Sequence, residues 1–244
     1  MSEEKLNLLG YSLQSLEAFF EQIGEPKFRA KQLIKWVHQK GVLDFDKMSD
    51  FNKLLRSKLK SVAVLLPPKI EEKHTSPEGT IKYLIKLESG SMVEMVRIPE
   101  KKRMTLCISS QAGCALQCTF CATGAQGFDK NLTADEIIGQ LWLANFNCED
   151  QPLITNVVFM GMGEPLLNFF PVIESAKIMK EQLAYGLSRK RITISTSGIT
   201  PQIDQLSSEV DVSLAISLHA PTNKLRDEIV PINKKYPISE LINS

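Results

Sequence analysis

Over residues 12–65 the apolar positions fall at helical spacing. They do so in SLQSLEAFFEQI and again in RAKQLIKWVHQKG, where Leu33, Ile34 and Val37 share a face and Gly41 makes a stop. The pattern predicts a compact helical module, residues 1–68, closed by Pro67 and Pro68. From Lys69 to Arg103 the period drops to two. TIKYLIKL and SMVEMVRIP, parted by ESG and preceded by the turn SPEG, predict a β-hairpin region over residues 69–103. Met92, Glu94, Val96 and Ile98 then point to one face. A carboxylate among apolar neighbours makes Glu94 a candidate for a raised pKa and proton transfer, and a buried, paired structural glutamate fits the same pattern.

Beyond Arg103, strands and helices alternate. Strands are predicted at MTLCISS, TNVVFMG, RITISTS and DVSLAISLH, with helices after Thr133, Asn168, Pro201 and Thr222. Apolar strand runs joined by helical crossovers predict a parallel sheet covered by helices, barrel-like or doubly wound. Four such units over residues 104–244 cannot close an eight-unit barrel, so the expected class is α/β, a partial TIM-like barrel behind a small helical domain and a hairpin region.

In such folds ligands gather at the carboxyl ends of the strands. A cysteine-rich loop follows the first strand, GMGEP the second, Ser195 to Gly198 end the third, and Ser217, Leu218 and His219 end the fourth. Gly163 and Glu164 offer backbone and carboxylate groups to an ammonium. Taken singly, a glycine-rich turn before proline and a lone histidine are commonplace. Four segments at successive strand ends describe one site.

The loop itself reads GCALQCTFCATGAQGF, with Cys114, Cys118 and Cys121 in C-x3-C-x2-C spacing. A structural zinc site is usually closed by four ligands in two separated pairs, whereas three soft ligands in one short loop leave one iron of a four-iron cluster open. Gly113, Gly124 and Gly127 let the backbone wrap a bulky core, and Phe120 is placed to shield it or stack on a ligand. A zinc loop completed by His219, or plain packing of small apolar thiols, are the alternatives. Five cysteines in 244 residues are too sparse for a disulfide scaffold.

Charge adds one feature. The net charge is +1, yet between Pro26 and Lys60 ten Lys or Arg face three acids, a surplus that suits a polyanion such as RNA and equally describes a solvated helical face. No stretch approaches the 18 or so apolar residues of a membrane span, and MSEEKLNLLG lacks a signal-peptide pattern, so the expectation is a cytoplasmic protein with no membrane partner.

Together GEPKFRAKQLIKWVHQKG, VEMVRIP, TLCISSQAGCALQCTFCATGAQGF, MGMGEPLLN, RITISTSG and LAISLHAP through IVPINKKY resemble the radical S-adenosylmethionine (SAM) superfamily, and within it the RlmN family of RNA adenine carbon-2 methyltransferases. The resemblance implies a [4Fe-4S] cluster on Cys114, Cys118 and Cys121. It implies SAM held by Gly163, Glu164, Ser195, Ser217, Leu218 and His219, with Phe120 beside it, and a 5′-deoxyadenosyl radical as the reactive species. It also implies 23S rRNA and tRNA as substrates, and an electron donor such as flavodoxin or ferredoxin. Cys107 matches the cysteine that resolves a protein–RNA crosslink by pairing with a methyl-carrying thiol, though a buried structural role fits its strand position as well. Glu94 matches the proton acceptor. No cysteine follows Cys148, so the methyl-carrying thiol and a further SAM-contacting Asn are missing. The expectation is therefore a C-terminally truncated enzyme, inactive for full turnover. Competing readings are the related carbon-8 rRNA methyltransferase and a non-catalytic metal- or RNA-binding protein.

Overall fold

The computed structural model describes residues 5–148 and 152–244. A two-residue strand, β1 (Leu6–Asn7), pairs in parallel with β2 (Ala63–Val64) and so ties together the two ends of a helical module. Between them lie α1 (Leu13–Gln22), α2 (Phe28–His38) and α3 (Lys53–Val62). Ser12 caps α1 by accepting from the Ser15 amide at 3.3 Å, and Asn52 caps α3 by accepting from Leu55 at 2.8 Å. The predicted apolar stripe is the one buried: Leu16, Phe19, Phe20, Leu33, Ile34, Val37, Leu55 and Leu59 form its core.

This module does not stand apart. Its core runs on without a break into that of the rest of the chain. The Trp142 indole donates to the Val37 carbonyl at 3.0 Å, and the buried His38 ring meets the Tyr185 hydroxyl at 3.0 Å. Burial pushes the His38 pKa down to about 3, so the ring is neutral in this contact at physiological pH.

Seven strands form one sheet in the order β11-β10-β9-β6-β5-β4-β3. The antiparallel part is β3 (Lys69–Thr75), β4 (Ile81–Lys86), β5 (Met92–Glu100) and β6 (Arg103–Cys107). The expected hairpin is thus β4 and β5, with β3 added at its edge and β6 joining it to the parallel strands. From β6 onward the strands run in one direction: β9 (Asn156–Phe159), β10 (Ile192–Thr196) and β11 (Ser213–Ile216) each pair in parallel with the one before. Each new strand adds to the same edge, which is the order of an opened barrel and not of a doubly wound sheet. Crossovers of one hand added to one edge put their helices on one face.

That face is covered by α5 (Ala134–Phe146), α6 (Phe169–Lys180) and α7 (Thr200–Glu209), over the fully buried Leu106, Val157, Ile192 and Ile194. Thr133 and Glu136 form a capping box at the start of α5. Arg97 is buried on the same side and donates to the carbonyls of Ala144 and Pro152. The alternate residues Thr105, Cys107, Val158, Thr193 and Ser195 stay half-buried on the open face. Among the described residues no helix is long and apolar enough to cross a membrane.

Candidate functional site

One piece of structure was not predicted. The cysteine loop is an excursion held at its base by a two-stranded antiparallel ribbon, β7 (Gln111–Gly113) with β8 (Phe128–Asn131), and it contains a short helix, α4 (Ala122–Gln126). Both strands are too short to leave a period in the sequence. Gly113 has φ 72° and its Cβ would lie 1.8 Å from the Gly127 carbonyl oxygen, so only glycine lets the ribbon close, with Cys114 N–H donating to that oxygen at 2.9 Å. Gly127, at φ 79°, makes the matching turn on the other side. Thr119 N–H donates to the Ile229 carbonyl at 3.1 Å, which pins the loop's tip to α8 (Asn223–Ile229).

The loop faces a cleft of about 640 Å³ at the carboxyl ends of β9, β10 and β11. Cys114, Cys118, Phe120 and Cys121 line one side of it, and Gly163, Glu164, Ser195, Ser217, Leu218 and His219 line the other. Four separate sequence segments thus meet in one place. The Ser195 and Ser217 hydroxyls are 3.3 Å apart. His219, at φ 60°, sets its ring against Phe120 at a tilt of 54° with centroids 4.5 Å apart, at the lip of the cleft, and among the described residues it forms no three-ligand metal group with the cysteines. Gly163 has φ 98°, and its Cβ would meet Gln111 at 2.4 Å.

Glu164 is more enclosed than its exposed-looking motif suggests. Only 2% of it is exposed, and its two carboxylate oxygens accept from Ser197 N–H at 2.8 Å and Leu166 N–H at 3.0 Å. Desolvation raises its pKa against those hydrogen bonds. Its carboxylate therefore braces the segment after β9 against the segment after β10, and its own N–H is held by the Gln111 side chain at 2.8 Å. Gln111, Ser197 and Arg226 were not singled out from the sequence. Gln111 and Arg226 are buried and Ser197 half-buried, and their placement follows from tertiary packing that leaves no pattern in the sequence.

Glu94 and Cys107 lie outside the cleft. The apolar setting expected for Glu94 is absent: its side chain is 43% exposed and ion-paired with Lys82 at 3.0 Å. It does share the open face of the sheet with Cys107, which is opposite Val96 in register, two residues along β5. Burial pushes the Cys107 thiol up to about 11, against a hydrogen bond from the Met160 backbone, and Met160 itself lines the cleft. Cys148, just past α5, packs on the hydrophobic core. On the helical module, Lys27, Lys31, Lys35, Lys40, Lys47, Lys53, Lys58 and Lys60 are exposed, with Lys27, Lys58 and Lys60 already paired to acids of the module.

The family described as the radical SAM superfamily matches residues 108–242, more than half of the chain. The chain belongs to the radical SAM superfamily. Its helical part, residues 6–65, matches the ribosomal RNA large subunit methyltransferase N-terminal domain, and within the superfamily the chain is of the RlmN family. It is 54% identical over 244 residues to the dual-specificity RNA methyltransferase RlmN of Marinobacter nauticus, covering 98% of this chain and 66% of that protein. With the protein of the same name from Pseudomonas putida F1 it shares 54% over 248 residues, covering 100% of this chain and 65% of that one. The chain thus spans about two thirds of the length of the curated relatives it matches. A crystal structure of a radical SAM methyltransferase from Sphaerobacter thermophilus superposes with a TM-score of 0.89 at 38% identity, covering 98% of this chain and 71% of that one.

Radical SAM members of the RlmN family use a [4Fe-4S] cluster and SAM, and the residues present fit both. Burial first, then each other's charge, raises the Cys118 thiol, and burial likewise raises Cys114. Such a set becomes three thiolates only against a strongly positive centre. Among the described residues no three His, Cys, Asp or Glu converge tightly enough to hold a single ion. A cluster is met at separate irons, so its ligands need not converge on one point. The glycine-lined base and the cleft beside the sulfurs leave room for a core and a ligand on its open iron.

Proposed function

We propose that the chain is the cofactor-binding part of a radical SAM methyltransferase acting on carbon 2 of adenosine in 23S rRNA and tRNA, in the cytoplasm. The observation that carries this is the single cleft in which the cysteine loop faces the ends of three parallel strands. Cys114, Cys118 and Cys121 would hold the cluster by three irons. When bound, the cluster and SAM supply a 5′-deoxyadenosyl radical, chemistry suited to a ring carbon that is too poor a nucleophile for ordinary methyl transfer.

The protein's own residues do the rest. Backbone groups at Gly163 and the serine hydroxyls at 195 and 217 are available to the polar groups of SAM, and the Phe120 ring, set against His219 at the lip, offers an apolar surface to the ligand. On the open face, the Cys107 thiol stays protonated at neutral pH until a partner thiol or a base reaches it, and Glu94 is the nearest carboxylate along the neighbouring strand, in the role of proton acceptor. The exposed lysines of the helical module supply a surface for RNA phosphates. A one-electron carrier of the flavodoxin or ferredoxin kind would reduce the cluster.

Mass spectrometry of rRNA and tRNA nucleosides from cells with and without the gene tests the reading. Loss of 2-methyladenosine on deletion is expected. Loss of 8-methyladenosine instead would transfer the protein to the carbon-8 class, and an unchanged nucleoside profile would sink both.

A further inference from the structure

Arg226 lies on α8, behind the cleft, and its side chain is fully buried, 0% exposed. All four of its hydrogen bonds end on neutral oxygens. Nε donates to the Leu218 carbonyl at 3.1 Å, Nη2 to the carbonyls of Ser197 at 2.6 Å and Ser217 at 3.3 Å, and Nη1 to Asn233 Oδ1 at 2.8 Å. A guanidinium taken fully out of water without a directly bonded carboxylate is costly, and it persists only where its fork is fully used.

The fork is used at a telling place. Ser197 follows β10, and Ser217 and Leu218 follow β11, so one side chain fastens the carboxyl ends of two neighbouring strands that wall the cleft. Ser197 is gripped from both sides, its N–H by Glu164 and its carbonyl by Arg226. The last residue of the same helix, Ile229, holds Thr119 of the cysteine loop. Asn233, 1% exposed, backs the fork by donating to Asp227 at 2.6 Å and to Asn223 at 3.2 Å.

We propose that Arg226 is a positioning residue of the cofactor cleft: its planar fork fixes the ends of β10 and β11 against each other and against the cysteine loop, so that SAM affinity depends on the fork and not only on the positive charge. This rests on the reading that the cleft takes SAM. A lysine keeps the charge but projects its three donors from one nitrogen, whereas the four oxygens here are met by three separate guanidinium nitrogens.

The test uses the whole 244-residue chain, reconstituted anaerobically, with labelled SAM in equilibrium dialysis, iron per chain and melting temperature measured in parallel. Arg226→Lys should keep its iron and weaken SAM binding by about tenfold or more per iron-loaded chain, and Asn233→Ala should weaken it by a smaller factor, about threefold. Wild-type affinity per iron-loaded chain in Arg226→Lys would overturn the proposal, whether or not total iron falls, since Arg226 would then serve folding or charge alone. If Arg226→Lys does not fold, Asn233→Ala decides: weakened affinity supports the proposal and wild-type affinity overturns it. A wild-type chain that loads iron but binds no SAM would instead sink the reading of the cleft, and this inference with it.

Discussion

The two sides of the cleft are built by opposite means. The strand-end wall is fixed before any ligand arrives: Glu164, Ser197 and Arg226 are each held by directed hydrogen bonds to a neighbouring segment. The cysteine loop is held at its base ribbon and at Thr119, and burial, then neighbouring charge, raises the Cys118 thiol while burial raises Cys114. A wall that is pre-organised can present fixed polar groups to a ligand, while a loop whose donors repel one another is completed by the positive core it binds. On the proposed function, the difference gives selectivity for the organic ligand to the wall and metal loading to the loop.

The largest effect that tests this division is on metal. Cys118→Ala, or the same change at Cys114 or Cys121, should abolish four-iron loading in anaerobic reconstitution while leaving the melting temperature of the iron-free chain within a few degrees, because the loop contributes little to the core. Next comes the base of the loop. Gly113→Val forces a side chain into the Gly127 carbonyl and a disfavoured φ, and should cost about 2–4 kcal/mol in denaturant unfolding, together with part of the iron.

On the wall, Glu164→Gln keeps one acceptor oxygen but sets an amide donor against the other backbone N–H, and should cost about 1–3 kcal/mol. The pH dependence has a definite sign. Glu164 is raised in the folded state, so the stability tied to its protonation is present below the unfolded pKa and lost as pH rises through the folded one. Wild type should therefore gain on Glu164→Gln as pH falls, and a difference that shrinks on acidification would contradict the burial-driven shift. Smallest of all is Glu94→Gln on the open face. Its half-exposed pair with Lys82 is worth under about 0.5 kcal/mol, so chemical denaturation should barely move.

The same contrast explains what the sequence made legible. The helical stripe, the four parallel strands and the gathering of polar segments at one rim were readable because period and strand order express burial directly, as at Leu33, Ile34 and Val37. The cysteine spacing favoured a cluster over a zinc loop or plain packing by ligand count alone. The ribbon β7–β8 was not readable, being only 3 and 4 residues long and pinned by Gly113 and Gly127. Nor was the brace: nothing in GMGEP tells that the glutamate oxygens accept from the Ser197 and Leu166 N–H groups. Glu94 misled in the opposite direction, since its apolar neighbours along β5 alternate with the buried face while Lys82 waits across the strand pair.

On the proposed function, the three-cysteine loop carries a four-iron cluster with one iron open to the cleft. Electron paramagnetic resonance of the anaerobically reconstituted, dithionite-reduced chain, recorded with and without SAM, tests it most directly. The predicted result is a reduced [4Fe-4S] signal whose shape changes when SAM is added, as the ligand reaches the open iron. A colourless zinc protein, or a cluster signal that SAM leaves unaltered, would contradict it.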